Sequence, residues 1–296
     1  MRLIFTLISL LLPLSLMAQA DPANLRLKKL ISYPATLSYS TNSVLVAVLD
    51  TGVSLPMPLK NQVLKGTNVV RPRETAADLE GHGTAVAGII LEMAPNARIL
   101  PVVVASDGIG TSEGIIDGIV YAINEGAQII NISMGIPIEI LSKVAHIVGP
   151  EKVKETLFIF SAGNTGRQFQ ATDKIPDNLL NVGATELNSS RIAMYSEWGP
   201  GVEIAAPAGG INDGIWTYRA YPENQRRTFN GTSAAAPVVA GAAALLKSQY
   251  PELTATEIKQ ALLETSCSLP TLKNIIENSR MLNVGRLLNE SSSCPQ

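Results

Sequence analysis

Five short runs, residues 44–49, 99–104, 129–132, 157–160 and 180–182, are apolar at almost every position instead of alternating with polar residues. A strand with one face in water alternates. A strand that is apolar on both faces must be covered on both, which in practice means a parallel sheet between two layers of helix. Helical patterns fall between these runs, at 84–93, 115–124, 138–148 and, rich in small residues, 234–248. Thr254 with Glu257 reads as a capping box behind the apolar Leu253, starting a further helix. Strand and helix alternate along the chain with no internal repeat, so the expected fold class is α/β: one three-layer α/β/α domain around a mostly parallel central sheet.

The two ends of the chain read differently. Arg2 precedes an apolar stretch at 3–17 and then Ala18-Gln19-Ala20, the pattern of an export signal cleaved after Ala20. The stretch is short for a spanning helix, contains Pro13 and has no positive flank beyond it, so no stable membrane anchor is expected after cleavage. The expected division is an export signal at 1–20, a short N-terminal segment at 21–43, the main domain at 44–290 and a tail at 291–296. Export places the protein outside the cell or in a periplasm. There Cys267 and Cys294, the chain's two cysteines, are expected to form a disulfide that ties down the C-terminal segment. A formal net charge of −2 leaves no basic footprint for nucleic acid. A monomer is expected.

Residues of catalytic type sit at the edges of these elements. Asp50 follows the first apolar run, His82 lies in Gly81-His82-Gly83-Thr84 before a helix, and Ser233 lies in Asn230-Gly231-Thr232-Ser233 before another. Asn164 follows the fourth run. In open parallel sheets ligands bind outside the carboxyl ends of the strands, so all four can face one edge. A serine hydroxyl needs a base within hydrogen-bond reach, itself oriented by a carboxylate. With only two histidines in the chain, the choice of base is narrow.

Each residue alone has an ordinary structural explanation: a strand-end cap, a tight turn, a helix N-cap. Their conjunction points to a nucleophilic hydrolase. A competing pattern, Gly110-Thr111-Ser112-Glu113-Gly114, fits the nucleophile elbow of α/β-hydrolases. It would need His146, which falls inside a helical pattern, and it leaves Asp50, His82 and Ser233 unexplained. A third reading keeps the same residues in a non-catalytic binding module with a blocked cleft.

The segments Val48-Leu49-Asp50-Thr51-Gly52, His82-Gly83-Thr84-Ala85-Val86-Ala87-Gly88 and Gly231-Thr232-Ser233-Ala234-Ala235-Ala236-Pro237 resemble the Asp, His and Ser motifs of the subtilisin-like serine peptidases. Ser161-Ala162-Gly163-Asn164 resembles that family's oxyanion segment, and the likeness extends over about residues 44–288. The resemblance implies a subtilisin-like fold and an endopeptidase acting on polypeptides. It implies Ser233 as nucleophile, His82 as general base and acid, Asp50 as its orienter, and the Asn164 amide as oxyanion donor. It also implies an extended substrate lying between 106–110 and 133–135, contacting Ser133 and Gly135, with Gly135 and Gly163 leaving space for the side chain before the scissile bond. The chain departs from the family at Ala85, Ala234 and Val238, none of which has a catalytic role. The loop that builds a strong calcium site in many members is missing after the His motif, so no metal and no cofactor is expected. The segment 21–43 is far shorter than the family's usual prodomain.

Overall fold

The computed structural model describes residues 21–295 apart from 38, 107–108, 170–174 and 222–224. The expected export signal at 1–20 lies outside the described residues. The chain runs α1 (Pro22–Leu30), β1 (Leu45–Asp50), β2 (Thr67–Asn68), α2 (His82–Met93), β3 (Arg98–Val103), the short ribbon β4 (Ala105–Ser106) and β5 (Ile109–Gly110), and α3 (Ser112–Asn124). It continues through β6 (Ile129–Ile132), α4 (Ile140–Val148), α5 (Pro150–Glu155), β7 (Leu157–Ser161), β8 (Leu179–Thr185) and β9 (Ile204–Pro207). A hairpin of β10 (Ile215–Tyr218) and β11 (Arg226–Phe229) leads into α6 (Thr232–Gln249), then α7 (Ala255–Glu264), β12 (Cys267–Ser268), β13 (Arg280–Met281) and α8 (Val284–Leu287).

Nine of these strands form one sheet in the order β12-β13-β9-β8-β7-β6-β1-β3-β2, parallel except for the edge pair β12/β13. The double-sided apolar runs explain the layering. Val46 and Val48 of β1, with Ile159 of β7 and Val182 of β8, join α2, α6 and α7 in one core. Ala47 and Leu49, with Phe158 and Phe160, join α3 and α4 in a second core on the other face. Successive residues of a strand point to opposite faces, so every residue of β1 from Val46 to Asp50 is buried.

Several helices start earlier than the sequence pattern suggests: α2 at His82, α3 at Ser112 and α6 at Thr232. The polar and glycine residues that read as loop are first-turn residues. His82 and Ser233 are therefore inside their helices and not ahead of them. The expected helix at 138–148 starts later, at Ile140. Thr254 and Glu257 form the expected capping box on α7.

The segment 21–43 packs into the same unit. Leu27 and Ile31 are fully buried in the first core, and the Asn24 amide pairs both ways with the Trp216 backbone. The C-terminal stretch meets it: the Val284 N–H donates to the Ile31 carbonyl (2.7 Å), and the Ser32 hydroxyl donates to the Ser293 carbonyl (3.2 Å). Cys267 and Cys294 are joined by a disulfide, with Cα atoms 5.6 Å apart. The compact unit thus extends beyond 44–290 in both directions.

Candidate active site

Asp50 ends the central strand β1, is fully buried, and receives the Nδ1–H of His82 at 2.8 Å on Oδ1 and 2.9 Å on Oδ2. A carboxylate only accepts, so the contact fixes the proton on Nδ1 and turns Nε2 toward the cleft. Burial alone would push the His82 imidazole down. The charge and hydrogen bond of Asp50, helped by Asp78 and opposed by Arg227, reverse that, and its pKa lies above the ordinary histidine value.

What holds His82 in place was not visible as a sequence pattern. It is the first residue of α2, whose N-cap is Gly81 and so offers no capping side chain. Two residues from elsewhere do the capping. The Gly83 N–H donates to Thr51 Oγ1 (3.1 Å), and the Thr84 N–H donates to Asp78 Oδ2 (2.8 Å). Asp78, only 3% exposed, also receives the Thr51 hydroxyl and the backbone N–H groups of Glu80 and Gly81 on Oδ1. A buried carboxylate at a helix N-terminus is favoured by the helix dipole and by the orphan N–H groups there. Asp78 thereby couples the Asp50 strand end to the His82 helix start.

Ser233 is the second residue of α6 and is 8% exposed. Pro237 lies one turn on, inside the helix, and has no N–H to give to the Ser233 carbonyl. That carbonyl instead accepts the Ser133 hydroxyl (3.1 Å), while the Ser233 hydroxyl donates to the Ser133 carbonyl (3.0 Å). The Ser133 hydroxyl is itself held by the Asn131 amide (2.9 Å). The end of β6, through Asn131 and Ser133, and the start of α6, through Ser233, are thus locked to one another through backbone and side chain.

Asn164 follows β7, and its orientation is set by α6. Its Oδ1 accepts the Thr232 N–H (2.8 Å) and the Thr232 hydroxyl (3.0 Å). Since a backbone N–H can only donate, the oxygen must face Thr232, and the Nδ2 amide is left as a donor facing away. With the first N–H of α6 taken by Asn164, the next one, that of Ser233, has no acceptor among the described residues. Gly231 takes φ 97° to make the entry, a conformation open to glycine.

A cleft of about 590 Å³ is lined by Asp50, His82, Ala105, Gly110, Ile115, Ser133, Met134, Gly135, Glu80 and Arg227, among others. Ser133 and Gly135 border it, and among the described residues no atom beyond the flanking residues lies within 4 Å of where a Gly135 side chain would begin. Gly163 differs from the expectation of open space. It has φ 117°, and the position its Cβ would take is filled by the Glu197 carboxylate, 2.5 Å away. Its lack of a side chain serves backbone conformation and the close approach of Glu197. The competing pair is not brought together: Ser112 is the exposed first residue of α3, and His146 on α4 donates Nδ1–H to the Ser142 carbonyl (2.6 Å).

In sequence and in fold the chain is similar to known proteins. The chain is 34% identical over 246 residues to subtilisin DY of Bacillus licheniformis, covering 78% of this chain and 86% of that protein. It is 34% identical over 238 residues to subtilisin BL of Lederbergia lenta, covering 77% and 85%. Among solved structures it is similar to a cold-adapted subtilisin-like serine proteinase, at TM-score 0.73 and 25% identity, covering 85% and 92%. It is also similar to a lanthipeptide protease, at TM-score 0.74 and 26% identity, covering 84% and 89%. The family model described as the Subtilase family matches residues 41–288, nearly all of the two-core domain that carries Asp50, His82, Asn164 and Ser233, and the chain belongs to that family of serine peptidases.

Proposed function

We propose that this serine endopeptidase cleaves polypeptides through an acyl-enzyme on Ser233, with His82 as general base and then acid, Asp50 as its orienter, and Asn164 as oxyanion donor. The observation that supports this reading most is the pairing of His82 Nδ1 with the buried Asp50, together with a serine hydroxyl held in place at the start of α6. In the resting state the Ser233 proton is held by the Ser133 carbonyl. As substrate enters, the hydroxyl turns to His82 Nε2, which removes the proton during attack on the scissile carbonyl. Negative charge then develops on the carbonyl oxygen, where the Asn164 Nδ2 and the Ser233 N–H stand as fixed donors. His82, now protonated and stabilised by Asp50, passes its proton to the leaving amine, and water repeats the sequence to release the acyl half.

The acyl half of the substrate lies extended along Ser133 and Gly135, adding a strand through main-chain hydrogen bonds. No metal takes part. The protein acts as a monomer after export, in a periplasm or outside the cell. A fluorophosphonate probe tests the assignment: label on Ser233, abolished by Ser233→Ala with a loss of about 10⁶ in kcat, is expected. Label on Ser112 would favour an esterase, and no label a blocked cleft.

A further inference from the structure

The peptidase cleft carries a charge that the reaction above does not use. β11 is half of an antiparallel hairpin, so its side chains alternate between two faces. Arg226 takes the face away from the cleft. It sits over the Tyr218 ring at 4.9 Å, donates to the Trp216 carbonyl and lies 3.9 Å from Glu92. Arg227 and Phe229 take the other face. Phe229 meets the His82 ring edge-on with centroids 5.1 Å apart, and the Arg227 guanidinium lies 5.5 Å from the Phe229 ring centroid. Arg227 Nε donates to the Thr228 carbonyl (3.3 Å), and no carboxylate among the described residues pairs with this arginine. It lines the cleft together with Asp50, His82 and Ser133. Half-buried, packed on an aromatic ring and without a carboxylate partner among the described residues, the guanidinium is a preorganised anion receptor.

Its side of the cleft follows from the chemistry. The acyl half of the substrate runs along Ser133 and Gly135. The leaving amine must take its proton from His82 Nε2, so the leaving half passes over the imidazole, which packs against Phe229. We propose that Arg227 forms a subsite for a carboxylate within the first two residues after the scissile bond (P1′ or P2′), so that the enzyme prefers polypeptides with Asp or Glu there. This inference rests on the peptidase reading. The cleft also holds Glu80, on the loop before His82. Arg227 shares with Phe229 the face of β11 that meets His82, and this sets it, and not Glu80, at the leaving-group position.

The test uses fluorescence-quenched peptides identical except for Asp, Asn or Lys at P1′ or P2′, with the purified protein. At low salt, kcat/KM for Asp is expected to exceed that for Asn by about three- to tenfold, the range of a partly exposed charge-assisted pair. The ratio should shrink toward one as salt screens the pair. Arg227→Gln should bring it to one, Arg227→Lys should keep part of it, and Arg227→Glu should turn the preference to Lys. A readout beyond substrate choice is available: removing the positive charge beside His82 should move the acid limb of kcat/KM in Arg227→Gln to higher pH on the Asn peptide. A wild-type Asp:Asn ratio of one or below, or a ratio that survives in Arg227→Gln, overturns the proposal. The wild-type salt series decides the matter even if a variant fails to fold. Failure of every peptide to be cleaved, together with absence of Ser233 labelling, would instead defeat the peptidase reading beneath it.

Discussion

Ser133 and Ser233 exchange two hydrogen bonds, each giving its hydroxyl to the other's backbone carbonyl. The exchange depends on Pro237, which cannot claim the Ser233 carbonyl for the helix. Ser133→Ala would leave that carbonyl and the Asn131 amide buried with a lost partner. A stability loss of about 1–3 kcal/mol is expected. Because the Ser133 carbonyl that holds the nucleophile would lose its anchor, kcat should fall as well. Denaturant unfolding and single-turnover kinetics check both; a variant with unchanged stability and rate would show that the exchange is incidental.

The pH dependence follows from the raised His82 pKa. The base must be neutral to act, so kcat/KM should fall, as pH drops, with a midpoint above the ordinary histidine value of about 6.5. For stability the sign is opposite. The imidazolium–Asp50 pair contributes fully below the unfolded-state pKa and is lost as pH rises through the raised folded-state value. Asp50→Asn removes the main cause of the rise and leaves burial to push His82 down. The acid limb should move to lower pH while kcat falls by about 10⁴. An acid limb that stays in place would mean another group controls it.

Thr232 aims Asn164, so two substitutions should mimic each other. Asn164→Ala is expected to lower kcat by about 10²–10³ with little change in KM, since its donor acts where charge develops. Thr232→Val removes one of the two donors to Asn164 Oδ1 and should lower kcat less, whereas Thr232→Ser retains the hydroxyl and the rate. Effects confined to KM would place Asn164 in ground-state binding instead.

Helix α2 runs without interruption from His82 to Met93, and β3 begins at Arg98. A tight calcium site needs six or more oxygens on a suitable loop, and the connection here is too short to build one. Chelator is therefore expected to leave the thermal midpoint close to its starting value. A large fall would reveal a site elsewhere.

The disulfide closes a loop with a sequence separation of 27. Its reduction should cost about 3–4 kcal/mol in the chain-entropy description. The proposed triad stands on β1, α2 and α6, outside that loop, so activity at moderate temperature should persist. Parallel loss of activity and stability in dithiothreitol would contradict this.

Asp50, His82, Asn164 and Ser233 stood out in the sequence as candidates because the chemistry proposed for them needs particular residue types beside particular glycines. The double-sided apolar runs likewise carried the parallel sheet. Asp78 was not legible: its meaning arises only when four donors from two segments converge on one carboxylate. Pro237 lay inside the helix expected at 234–248, and its use becomes clear only once the carbonyl one turn before it is seen to have another donor. The β10–β11 hairpin lacks a two-residue turn signature, and β12 and β13 are two residues each, too short for any periodicity to register. The space at Gly163 was misjudged because Glu197 reaches it from more than thirty positions away.

The meeting of Ile31 and Ser32 with Val284 and Ser293 has a consequence for how the molecule is made. A chain delivered N-terminus first has α1 ready early, yet the residues that close over it arrive last. Until they do, β9 lacks its neighbour β13 and presents an open strand edge. Such long-range closure is slow and exposes the chain to aggregation meanwhile. The chain must therefore emerge as far as Met281 before that edge is covered, and a ribosome stalled short of residue 280 would leave behind a sticky, unsealed fragment.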